Sequence, residues 1–110
     1  IYHLHAHDIN FDGVLDYPVE AFNWHDQDYG PSIAEMRTRT DKCLIGGITP
    51  SEGGPLVAGS TTDVDREVAD AIQQSGGTGF ILGPGEVVDP SSKPENVDQI
   101  LKSVLSAVHR

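Results

Sequence analysis

Cysteine, basic residues and long apolar runs are all scarce in this chain. Its 110 residues hold one cysteine, Cys43, so an internal disulfide is excluded. A lone thiol fits a reducing cytosol, and the expected location is cytoplasmic. Lys and Arg number 7 against 17 Asp and Glu, a formal charge of −10. Nucleic acid and anionic membrane surfaces are met by a basic patch, and none is legible, so neither is an expected partner. No apolar stretch approaches the ~20 residues of a membrane-spanning helix. Gly-x-Ser-x-Gly, phosphate-loop and Cys-x-x-Cys patterns are missing as well. Gly76-Gly77-Thr78-Gly79 precedes a strand signal instead of following one, which is the wrong context for a dinucleotide fingerprint.

What is present is turn-forming residue and ordered apolar runs. Gly and Pro contribute 12 and 7 positions, and the apolar fraction is 37%. That length is one domain at most. The first residue is Ile1, and the residues after it already read as a strand, so a fragment or processed piece is expected. Strand signals fall at Ile1 to Ala6, Val19 to Trp24, Lys42 to Ile48 and Gly79 to Leu82, each followed by a helix signal. In the last helix Pro94 suits the first position, and Ser92 with Glu95 reads as a capping box. Val97, Ile100, Leu101, Val104, Leu105 and Val108 share one helical face. The third helix begins near Asp63, with a stripe of Val64, Val68, Ala71 and Ile72 and a stop at Gly76-Gly77. The second starts at Ser32 with Glu35 three residues on. A short first helix takes Asp8 as cap, packs Val14 and Leu15, and ends at Pro18.

Four alternations of strand and helix predict a parallel sheet covered by helices, either an open sheet or half of a closed barrel. The loop from Thr49 to Thr62 follows the third strand. It therefore lies at the carboxyl edge of the sheet, where such folds bind ligands.

The chemistry-bearing residues gather at strand ends. His3, His5 and His7 alternate with Tyr2, Leu4 and Ala6, so the three imidazoles share one side of a strand. Neutral imidazoles so grouped suit zinc, whose catalytic sites have three protein ligands and an open position. Polar lining of a barrel mouth is the other reading. Trp24-His25-Asp26 ends the second strand. His25 is a catalytic candidate, with Asp26 to orient it or to act as acid or base; a capping Asp and a solvated His is the alternative. Gly46-Gly47 ends the third strand, either for close ligand approach or for tight packing. Glu86, after the fourth strand, is a third candidate ligand beside His3 and His5. Cys43 reads as a small core residue.

Gly79-Phe80-Ile81-Leu82-Gly83-Pro84-Gly85, then Pro90, then Lys93-Pro94-Glu95-Asn96-Val97, resembles the C-terminal signature of the uroporphyrinogen decarboxylase superfamily. Tyr2-His3-Leu4-His5 is similar to the family strand bearing His-x-Cys. Val19 to Trp24 resembles the strand in which Trp follows Asn or Asp, and Ile45-Gly46-Gly47-Ile48 with Gly59-Ser60-Thr61 resembles the next unit. The resemblance implies a TIM (βα)₈ barrel, of which these residues are strands five to eight, its C-terminal half. It also implies a small-molecule substrate. The methyltransferase branch holds an open-position zinc by His, Cys and Cys. Carried over, those positions are His3, His5 and Glu86, with nitrogen and oxygen replacing sulfur. The decarboxylase branch uses no cofactor and carries a His where this chain has Pro84. The expectation is a metal-assisted, methyltransferase-like member. A porphyrinogen carboxy-lyase and a non-catalytic half barrel are the alternatives. A half barrel also leaves open edges and an open apolar face, so self-association is expected.

Overall fold

The computed structural model describes residues 1–6 and 9–108; His7, the expected helix cap Asp8, His109, Arg110 and the side chain of Val108 lie outside the described residues. Four short strands, β1 (Tyr2–Leu4), β2 (Ala21–Trp24), β3 (Cys43–Ile48) and β4 (Phe80–Pro84), form one sheet. All three pairings are parallel and the strand order is β1-β2-β3-β4. Sequential order means that each connection crosses to the next strand in the same direction around the sheet. The elements between are a 3₁₀ turn (Phe11–Gly13) and helices α1 (Ile33–Arg37), α2 (Pro55–Ala58), α3 (Thr61–Ser75) and α4 (Pro94–Val108). The chain is therefore mixed α/β with a four-stranded parallel sheet. Among the described residues, no helix is long and apolar enough to cross a membrane.

Local chemistry sets most boundaries. Asn10 caps the 3₁₀ turn, accepting from the Asp12 amide at 3.2 Å. Helix α1 starts at Ser32, whose hydroxyl accepts from the Glu35 amide at 3.1 Å. Helix α3 begins two residues before Asp63. Its cap is Ser60, in a capping box that Asp63 closes from N3. Gly76 ends it at φ +78°, a left-handed conformation that only glycine adopts without cost. The Thr49–Thr62 segment is not one loop, because it contains α2 and the cap of α3.

Side-chain alternation sorts the sheet into two faces. Phe22, Trp24 and Leu44 are buried together with Phe11, Ile33, Met36 and Ala71, and Tyr2, Leu4, Phe80 and Leu82 pack against them. A second cluster joins Ile48, Leu56, Val64 and Val68 to Ile100 and Val104 of α4. The opposite face carries the in-register row His3, Asn23, Ile45 and Ile81, and Ile81 is 53% exposed. The smallest extent of the molecule, 18 Å, is that of one sheet and one helix layer.

Helix α4 departs from the sequence reading. Ser92 does not cap it; its hydroxyl donates to the Asp89 carbonyl at 2.7 Å. Of the apolar face, Ile100 and Val104 pack inward, while Val97, Leu101 and Leu105 stay 43%, 63% and 48% exposed. The reason is Asn96, which is fully buried and sets the rotation of the helix. Its amide donates to the carbonyls of Pro55, Leu56 and Gly59 at 3.0, 3.2 and 2.9 Å, closing the end of α2. Asn96→Ala removes one of two donors from each carbonyl, since the Gly59 amide, the Lys93 amide and Lys93 Nζ still serve Pro55, Leu56 and Gly59, and is expected to lower stability by about 1 kcal/mol. Urea unfolding checks this; a midpoint unchanged from wild type would show that α2 does not depend on the bond.

Candidate metal centre

The site forms where β1, β2 and β4 end. His5 follows β1, His25 follows β2, and Glu86 follows β4. One oxygen, Glu86 Oε2, lies 3.1 Å from His3 Nε2, 3.5 Å from His5 Nε2 and 3.5 Å from His25 Nε2. His5, His25 and Glu86 each offer a donor atom, and these donors all lie within 4.8 Å of one another. Tetrahedral zinc with ligands at about 2.0–2.1 Å sets its donor atoms about 3.4 Å apart. The two 3.5 Å separations match the edges of such a tetrahedron.

Glu86 reaches the far strands because the chain after β4 folds tightly over the end of β2. A Cβ on Gly85 would come within 2.4 Å of the Trp24 carbonyl oxygen and 2.8 Å of His25 Cα. Only glycine allows that approach, so Gly85 delivers the carboxylate to the imidazoles. Glu86 Oε1 accepts from the Val87 amide at 2.9 Å. That bond is the largest cause holding the carboxyl down at about 2, so it is ionised across the working pH range.

His25 is the most constrained member. Its side chain is only 8% exposed, yet neither ring nitrogen has a hydrogen-bond partner among the described residues. Its ring packs at a tilt against those of His5 and Tyr29, with centroids 5.1 and 5.0 Å away. The Asp28 carboxylate lies 3.9 Å from Nδ1, too far for a hydrogen bond but placed to steer that nitrogen. Buried polar groups are almost always bonded, so an imidazole with no partner among the described residues, beside a carboxylate, is a candidate ligand position.

Asp26 is placed apart from this cluster. It is buried, accepts from the Gly47 amide at 3.1 and 3.2 Å, and faces Gly46. A Cβ on Gly46 would sit 2.5 Å from its Oδ1. The Gly46-Gly47 pair thus serves close packing, around Asp26 and against Ala71. Burial pushes the Asp26 carboxyl up to about 6, against the opposing effect of the Gly47 bond. No hydrogen bond joins Asp26 to His25, so the His25 ring is held by packing against His5 and Tyr29.

The metal set read from the sequence was His3, His5 and Glu86. The structure draws His5 and Glu86 together with His25, and places His3 on Glu86 from the side. His3 Nδ1 bonds Asn23 Oδ1 at 2.7 Å. Sequence reasoning missed Asn23, Asp28 and Gly85. The available signal for Asn23 and His25 was their two-residue spacing at the end of β2, which repeats that of His3 and His5 at the end of β1. Among the basic residues, Arg37 bonds the carbonyls of Gly79, Thr40 and Lys42, Lys42 bonds that of Leu15, and Arg39 pairs with Asp12. These three hold chain segments together and do not face the histidines.

Such a site defines a class: a parallel α/β chain with a histidine–carboxylate centre on the carboxyl rim of its sheet. No family model matches the chain, and no curated protein matches it.

Proposed function

We propose that this chain is the metal-bearing half of a (βα)₈-barrel enzyme related to the uroporphyrinogen decarboxylase superfamily, on its metal-assisted, methyltransferase-like side. The observation that carries this reading is His25, a buried imidazole whose two nitrogens have no hydrogen-bond partner among the described residues, 3.5 Å from an ionised carboxylate and packed against His5. Sequential parallel strands with helices on one face support the barrel, since an open doubly wound sheet reverses its strand order and covers both faces. The uncovered face bearing His3, Asn23, Ile45 and Ile81 is then the barrel interior, closed by the other half.

His5, His25 and Glu86 would hold zinc with a fourth position open. Two neutral imidazoles and one carboxylate leave the ion a net charge of +1. It would supply Lewis acidity, activating a substrate hydroxyl, thiol or water at neutral pH. The chain's own part is to hold three donors near tetrahedral spacing on three separate strand ends, with Gly85 fixing the carboxylate.

The cofactor-free lyase reading is less well supported. Pro84 stands where that branch carries a His. Equilibrium dialysis against zinc at near-neutral pH tests the proposal. One equivalent should be retained by the wild type and lost in His5→Ala. Failure of the wild type to retain zinc would remove the reading.

A further inference from the structure

Asn23 sits at the centre of the uncovered face, and its amide orientation is fixed by the backbone. Its Nδ2 donates to the Ile45 carbonyl at 2.9 Å and to the Pro84 carbonyl at 3.1 Å. Both partners are acceptors only, so the NH₂ group must occupy that end. The other end is then Oδ1, which can only accept. It faces His3 Nδ1 at 2.7 Å, so Nδ1 carries the hydrogen. In a neutral imidazole with hydrogen on Nδ1, Nε2 is a bare lone pair.

That lone pair points at a second acceptor. His3 Nε2 lies 3.1 Å from Glu86 Oε2, and an ionised carboxylate has no hydrogen to offer. Two acceptors at this separation repel unless a cation or an added proton lies between them. The separation also approaches the edge of a zinc tetrahedron, about 3.4 Å. Asn23 bonds β3 and β4 through one end and His3 through the other, so it ties the position of the ring to the strand ends that carry the site.

We propose that Asn23 is a positioning residue that locks His3 in its Nδ1–H tautomer and so presents the Nε2 lone pair to a cation held at Glu86. The inference rests on the metal reading above and deepens it. His3 then stands beside Glu86 as a further nitrogen donor, outside the group of three whose donor atoms lie within 4.8 Å of one another. A metal-bound histidine whose other nitrogen donates to a fixed acceptor is a common arrangement, and loss of the outer partner weakens metal binding by about 10- to 100-fold.

The test uses the full chain labelled with ¹⁵N, at a pH where free imidazoles are neutral. Long-range imidazole spectra should show His3 as the Nδ1–H form, and zinc should shift its Nε2 resonance. Asn23→Ala should release the tautomer and lower zinc affinity by about 10- to 100-fold, with no further loss when combined with His3→Ala. The wild-type tautomer is readable even if Asn23→Ala fails to fold. An Nε2–H His3, with zinc still bound at His5, His25 and Glu86, overturns the lock alone. Zinc failing to bind a wild type whose His3 is Nδ1–H overturns the metal reading and leaves the tautomer lock standing.

Discussion

Replacing His25 with alanine should lower zinc affinity by about 100-fold or more while hardly changing the metal-free fold. The first half follows from geometry. His25 is the one ligand candidate already stripped of water, 8% exposed and 3.5 Å from Glu86 Oε2, so it needs little reorganisation to bind. His5, at 68% exposed, has more freedom to lose. The second half follows from the absence of any hydrogen bond to either ring nitrogen among the described residues. Removing the ring forfeits packing against His5 and Tyr29, but it strands no buried partner. Competition against a chromophoric chelator gives the affinity. Thermal unfolding with and without zinc gives the second readout, because an ion that binds only the native state raises its midpoint. In His25→Ala that rise should vanish. An equal rise in variant and wild type would place the ion elsewhere.

The second large effect is on pH and belongs to Asp26. Its carboxyl is raised by burial from 3.8 to about 6. The native state therefore binds a proton that the unfolded chain has already released between those values. Stability rises with pH only where the unfolded state holds more protons, so here it must fall as pH rises from about 4 to about 6. Roughly two units correspond to about 3 kcal/mol. Glu67, also raised by burial, adds in the same direction. Glu86, Asp63 and Asp89 are lowered, so their contributions are present above the usual carboxylate range and are lost as pH falls below it. Together these place the stability maximum of the metal-free chain near pH 4 to 5, with a drop to a lower plateau above about 6. Asp26→Asn keeps an acceptor for the Gly47 amide and removes the buried charge. It should abolish that drop and be more stable than wild type at pH 8 by up to about 3 kcal/mol. Denaturant unfolding in the presence of a chelator, repeated across that range, is the measurement. A wild-type curve that climbs through pH 6 would show that Asp26 is charged at little cost.

The two predictions separate consecutive residues that the sequence had joined. His25 and Asp26 read together as a catalytic pair because both end a strand. Alternation sends them to different surroundings: His25 to His5 and Glu86, Asp26 to the space beside Gly46. That outcome was legible in the two-residue period once β2 was placed at Ala21–Trp24. The same period, applied to β1, had already put His3 and His5 on one side. Helix α4 shows the opposite case. Its period of 3.6 located the helix, yet its rotation depends on Asn96 meeting the carbonyls of α2, which are about 40 positions away in the chain.

The order of the four strands, the helices α1, α3 and α4, the cap at Ser32, the stop at Gly76 and the gathering of His5 and Glu86 at strand ends were legible in the sequence alone, whereas the expected first helix is only a 3₁₀ turn at Phe11–Gly13 and α2 was read as loop. Each rests on short-range periodicity or on a local hydrogen bond, which neighbouring residues decide. Only the tertiary structure decided that His25 completes the cluster, that Asn23 spans three strands to orient His3, and that Gly85 brings the last strand's loop onto the second. Those arrangements depend on strand register and on close approach between segments some 20 to 80 residues apart. Pattern along the chain carries no information about such distances, because they are set by how the layers pack.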